Sequence, residues 1–176
     1  FSDAIEYVDV NPYWNVPRSI ASKEMMPEIL RDPAFFERRG LQVIYTGGAQ
    51  EQIVDPRSID WSQWDGETMP FRFRQPPGEA NALGRVKFMF PNKHAVYLHD
   101  TPTRALFNRS VRAFSHGCVR VDQPVAFADA LLAGEEQLNG ARIKRLIGGG
   151  ENGSLSLKKH VPVHLTYFTV RCTGTC

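Results

Sequence analysis

Cys118 stands in the stretch AFSHGCVRVD (113–122), directly after Gly117 and two residues after His116. A thiol attacks only as thiolate. It therefore needs a base, a group that orients the base, and donors for the oxyanion that its attack creates. His99 closes the run AVYLHD (95–100), which leads into the loop that carries Cys118. A histidine at a strand end can supply a base of suitable pKa. His99 is therefore the expected base, and His116 is expected to shape the loop or to assist the acceptor. Gly117 permits tight backbone geometry beside the thiol, so the N–H groups of residues 116–118 can converge on one point as an oxyanion hole.

The same loop is basic. Arg104, Arg109, Arg112 and Arg120 lie between residues 101 and 121, with no Asp or Glu among them. Guanidinium forks bind carboxylates, which suits a substrate rich in carboxylates, such as an acidic peptide. Phosphate is less suited, because no GxxxxGK loop is present and the GGG at 148–150 reads as a helix stop. Plainer roles compete at this stage. A lone cysteine can be a small buried hydrophobe. A zinc site needs about four ligands, and His99, His116 and Cys118 give three, with no CxxC or HxxxH pair in support. Cys172 and Cys176, in the closing VRCTGTC, could pair with each other or stay free. His160 and His164 read as strand-face residues, and Trp14, Trp61 and Trp64 as packing anchors.

The chain has 176 residues, 42% hydrophobic and 23% charged, with a net charge of +2. This suits one domain with an insertion and excludes a disordered chain. The charge is too small to point to nucleic acid. No run of 18 apolar residues exists, so no membrane span is expected, and the opening FSDAIEYVDV does not resemble a signal peptide. Three cysteines are too few for a disulfide scaffold.

The elements that must position these groups follow from pattern. IEYVDV (5–10) alternates as a strand and is interrupted by Asn11-Pro12. Residues 18–39 predict two helical pieces, the first capped by Ser19. The second is capped by Asp32 before Pro33 and stopped by Gly40. LQVIY (41–45) is a strand, and 46–70 is turn-rich. FRFRQ opens a strand that breaks at Pro76-Pro77. GRVKFMF (84–90) and AVYLHD (95–100) predict a hairpin. Residues 101–121 predict a long loop. Asp122 is expected to cap a helix that runs to Gly134, and Asn139 to start another that ends at the glycine run. LSLKK and VPVHLTYFTV are expected as closing strands. The result is a strand-rich α+β domain.

SHGCVR (115–120), YLHDTP (97–102), the LF at 106–107, and FMFPN with Gly84 together resemble the active-site region of the L,D-transpeptidase catalytic domain family, the YkuD type. NPYWNVP (11–17) and FRFRQPPG (71–78) resemble its larger Gram-negative members, which carry an inserted capping subdomain. The resemblance covers roughly residues 5–170. It implies a YkuD-like β-sandwich or mixed-sheet catalytic domain from residues 1–17 and 71–176, with a helical capping insertion at 18–70. In the family several strands precede the NPYW segment, so the catalytic domain is expected to be incomplete at its N-terminal side. The implied reaction is acyl transfer between peptidoglycan stem peptides. A cysteine takes the acyl group of a tetrapeptide donor at its third, diamino-acid residue and releases D-alanine. The side-chain amine of a second stem then forms a 3→3 cross-link. Relatives that hydrolyse such bonds or attach a lipoprotein, and a non-catalytic peptidoglycan-binding module, are the competing readings. By resemblance Cys118 is the nucleophile and His99 the base. His116, Gly117 and Cys118 line the oxyanion region, Ser115 orients the site, and Arg120 orders the loop or holds a carboxylate. Arg112 and Tyr97 are expected at the substrate. The resemblance implies no metal and no cofactor, acylation by carbapenems, and a periplasmic, exported or membrane-anchored protein.

Overall fold

The computed structural model describes residues 1–133 and 140–166. The expected helix stop at Gly134, the helix start at Asn139, and the Cys172 and Cys176 tail lie outside the described residues. Strand β1 (Ser2–Val10) is an interior strand of a five-stranded sheet. It pairs antiparallel with β6 (Val86–Met89) on one side and β9 (Gly153–His164) on the other. Strand β7 (Leu98–His99) continues the sheet beside β6, and β8 (Val119–Arg120) pairs with β7 in parallel. The order is β8-β7-β6-β1-β9.

Two strand expectations change. LSLKK and VPVH form one strand, β9, rather than two, and residues 167–170 of the expected VPVHLTYFTV strand lie outside the described residues. Pro162 faces Ala4 on the sheet's outer strand, where a missing N–H costs no second ladder. The pairing is regular around Pro162 and shifts register further on, between Ile5 and Tyr7. The stretch 101–121 also has structure, a 3₁₀ turn at Arg104–Asn108 and the short β8.

One face of this sheet is apolar. Val8, Val86, Phe88 and Leu98 are buried with Ala128, Leu132 and Ile143, which come from and beside α4 (Pro124–Leu131) and α5 (Gly140–Gly149). The Phe88 and Phe127 rings meet edge-on at 4.8 Å. Asp122 does not cap α4. Gln123 precedes Pro124 there without a side-chain bond, and the Asp122 carbonyl accepts from the Arg104 guanidinium instead.

The intervening chain builds a second sheet of β2 (Trp14–Asn15), β3 (Gln42–Tyr45), β4 (Gln52–Val54) and β5 (Phe71–Gln75), in the order β2-β5-β3-β4. The short α1 (Arg18–Ile20), a π-helical turn (Ala21–Met25) and α2 (Met26–Ile29) follow one another without a break. With α3 (Phe35–Arg39) they supply Met25, Met26, Ile29, Phe35 and Phe36 to a core shared with Phe71 and Phe73. Trp61 stacks on Phe36 at 5.1 Å and Trp64 meets Phe71 edge-on, so both act as anchors. Ser19 lies inside α1 and caps nothing, since Pro17 occupies the cap position. Asp32 accepts the Ala34 N–H at 2.9 Å, and α3 starts later than expected, at Phe35. Gly40 ends it with φ +60. The two connections to this body are clamped by buried Asn81. Its amide donates to the carbonyls of Pro12 (2.9 Å), Gln75 (3.3 Å) and Pro76 (2.9 Å), while its oxygen accepts the Leu83 N–H (2.8 Å).

Candidate active site

The register of the five-stranded sheet aligns one polar row. Ser154 faces Asp9, Asp9 faces Lys87, Lys87 faces His99, and His99 faces Arg120. Directly paired residues project to the same face of a sheet. This face is opposite the one that buries Val8, Phe88 and Leu98. Tyr97 and Cys118 lie two residues before His99 and Arg120, and so share the polar face. The Val119 N–H donates to the Tyr97 carbonyl at 3.1 Å, which sets the two lengths of chain level.

His99 is buried, and its Nδ1 meets the Asp100 backbone carbonyl. A carbonyl oxygen only accepts, so Nδ1 carries the proton and Nε2 keeps its lone pair. Burial pushes the imidazole down to about 4, helped by the Arg120 and Lys87 charges and opposed by the bond to Asp100 and its charge. At neutral pH it is an uncharged base.

Cys118 is half-buried, with Sγ 3.8 Å from the Ala95 carbonyl. Tyr97 and Cys118 share this face, and the Tyr97 ring stands 5.9 Å from the His99 ring. Burial first, and then Cys118, raise the Tyr97 phenol above its ordinary value, so it remains a protonated donor. Lys87 Nζ lies 4.2 Å from the centre of the Tyr97 ring.

The loop before Cys118 is stapled by Ser115. Its hydroxyl accepts the Gly117 N–H at 3.2 Å and donates to the Cys118 carbonyl. The Gly117 N–H is thus engaged within the turn. Gly117 has φ +143, a conformation that favours glycine. Arg120 donates to the Phe114 carbonyl at 3.2 Å, which ties the loop to β8, and its buried Nε has no partner among the described residues. Arg112 turns back onto the Arg109 carbonyl at 2.9 Å. His116 points to the second body, where its Nε2 lies 2.8 Å from Glu24. The structure therefore brings Cys118, His99, Tyr97 and Arg120 to one face and turns His116 and Arg112 to other partners. Among the described residues, no three His, Cys, Asp or Glu side chains converge on a metal-sized point.

Three supporting residues escaped sequence reasoning. Asp100 is buried and accepts from the Arg85 N–H (2.8 Å), the Thr101 N–H (2.6 Å) and the Arg104 guanidinium (2.5 Å). It thereby fixes the carbonyl that holds His99. Asn92 bridges the 90–97 connection, donating to the Phe90 and Val96 carbonyls at 2.6 and 2.8 Å. Lys87 occupies the row beside His99. The adjacency of Asp100 to His99 is a usable signal. Lys87 becomes visible only once the strands are in register.

The family model for the L,D-transpeptidase catalytic domain (YkuD) matches residues 1–143. A protein of Haemophilus influenzae that bears the name "Putative L,D-transpeptidase" is 38% identical over 162 residues, 92% of this chain. The chain spans 32% of that relative's length. With the family model covering most of the chain, and the matched stretch holding the His99, Tyr97 and Cys118 face, this chain belongs to the YkuD family of L,D-transpeptidase catalytic domains.

Proposed function

We propose that this protein is a peptidoglycan L,D-transpeptidase that forms 3→3 cross-links through a Cys118 acyl-enzyme. The observation that carries this reading is the neutral, Asp100-oriented His99 on the same sheet face as the Cys118 thiol. His99 Nε2 takes the thiol proton as Sγ attacks the carbonyl of the donor stem's third residue. The tetrahedral oxyanion collapses, the peptide C–N bond breaks, and D-alanine leaves with the proton from His99. The side-chain amine of a second stem then attacks the thioester and gives its proton to His99. The C–S bond breaks, an amide forms, and the thiol is regenerated.

Water as acceptor would make the protein a hydrolase, and a lipoprotein amine would make it a lipoprotein-attaching enzyme. A non-catalytic binding module has no use for a buried neutral imidazole on one sheet face with a thiol. We place the reaction in the periplasm, where peptidoglycan lies. Residues 18–70, with β2 and β5 at their flanks, act as a cap over the cleft, a role supported by the contact of Glu24 with His116 on the nucleophile loop. A mixture of two stem peptides, followed by intact-mass and product analysis, tests the reading. A Cys118 adduct and a cross-linked product are expected, and none with Cys118→Ala. Carbapenem should give one adduct at the same residue. A free tripeptide as the sole product would replace transferase by hydrolase. No adduct on folded protein would refute the acyl-enzyme.

A further inference from the structure

Lys87 is a charged residue of the polar row that the acyl-transfer mechanism does not use. It sits in β6 between Asp9 and His99, directly paired with each. Its ammonium stands over the Tyr97 ring at 4.2 Å, and Tyr97 lies level with Cys118 through the Val119 N–H bond to the Tyr97 carbonyl. The other residues of the strand explain why this position is unusual. Val86 and Phe88 enter the core beneath α4 and α5, as the alternation of β6 demands. An ordinary surface lysine would extend from the opposite face into water. Here Lys87 is half-buried and its ammonium lies over the ring of Tyr97.

We infer that Lys87 is a positioning residue for the nucleophile: in register between Asp9 and His99, with its ammonium over the Tyr97 ring, it favours the thiolate form of Cys118 on the same sheet face. This rests on Cys118 being the acylated residue. The charge relations agree with the geometry. Burial lowers the Lys87 amine from its ordinary value, and Asp9 and the Cys118 thiolate oppose that fall. Lys87 also helps keep His99 uncharged, and so available as a base. The ionisable groups facing this cluster are Asp9 from β1, Tyr97 and His99 from β7 and the residue before it, and Arg120 from β8. His116 lies on the loop itself, and Glu24 reaches it from the second body.

The test needs no peptidoglycan. Iodoacetamide alkylation of Cys118 in the intact protein is followed against pH, with peptide mapping to separate it from Cys172 and Cys176. In Lys87→Met the midpoint should move to higher pH by about one unit, so that the rate near neutrality falls about tenfold and recovers in alkali. Lys87→Arg should keep the midpoint of the parent protein. If Lys87→Met fails to fold by circular dichroism, Lys87→Gln, which keeps a polar head in the row, should show the same displacement. A midpoint unchanged in the folded charge-removing variant overturns the inference. So does a rate lowered equally at every pH, which marks a structural role. Absence of stem-peptide turnover in the parent protein, with the alkylation shift intact, would refute the proposed substrate and leave the role of Lys87 standing.

Discussion

At the scale of single residues, the two histidines of the motif region part company. His99 is buried and faces the thiol's strand, while His116 is exposed and reaches for Glu24. His99→Ala is expected to slow Cys118 acylation by about 10²- to 10⁴-fold, the usual loss for a general base. Higher pH should restore part of that rate, because the thiol then ionises unaided. His116→Ala should lose rate with no alkaline recovery. Stopped-flow acylation by a carbapenem across pH distinguishes them, and alkaline recovery confined to His116→Ala would reverse the roles. His99 also ties stability to pH. Its folded value of about 4 lies below its ordinary 6.5. Above about pH 6.5 both states hold a neutral ring and the stability is complete. Between pH 6.5 and 4 the unfolded chain takes up a proton that the folded chain refuses, and stability falls. The gap converts to at most about 3.5 kcal/mol at ~1.4 kcal/mol per unit. Urea midpoints of His99→Gln should lose most of this slope, and an unchanged slope would mean that the imidazole is more solvated than its burial implies.

At the scale of elements, the turn from Gly84 into β6 and the segment after β7 are built against each other. Gly84 has φ +64, and a Cβ there would sit 2.4 Å from the Asp100 carboxyl carbon. Gly84→Ala therefore meets both backbone strain and a clash with the residue that orients His99. A loss of about 2 kcal/mol or more is expected in chemical denaturation. Gly148→Ala is the opposite case. Gly148 lies in α5, a Cβ added to it would meet nothing within 4 Å, and a gain of about 0.4–1 kcal/mol is expected. The contrast shows what a sequence carries. His99 and Cys118 are legible because contiguous motifs fix them, and β1, β3, β5 and β6 because alternation and proline breaks mark them. The two-residue β8 has no period to detect, and Pro162 reads as a break in β9 although an outer strand tolerates it. Lys87 in VKFM reads as an ordinary solvent-facing alternation. Its meaning comes from register with Asp9 and His99, the first of them far away in sequence. The caps expected at Ser19 and Asp122 are displaced by Pro17 and by the Arg104 contact.

At the scale of the whole molecule, two bodies share a clamped neck at Asn81 and a side-chain bridge at the site, Glu24 to His116. Both partners of that bridge are exposed, so it adds little stability. Glu24→Gln should change the unfolding free energy by no more than about 0.5 kcal/mol. If the bridge aligns the cap with the loop, the same change should reduce stem-peptide turnover by up to about fivefold, a loss of about 1 kcal/mol, and leave β-lactam acylation unaltered. Equal effects on both would assign the bridge to the loop alone. The position of β8 has a separate consequence. Cys118 precedes a two-residue strand at the rim of the sheet, whereas β1 and β6 lie inside it. Rim segments detach at a lower free energy than the interior to which they are fastened. Amide hydrogens around Val119 and Val121 should thus exchange with deuterium well before those of Val8 and Phe88, and by openings that denaturant barely accelerates. Catalytic competence would then be lost by a local peeling of the rim while the body of the fold is still intact, and inactivation in mild urea should precede the cooperative transition.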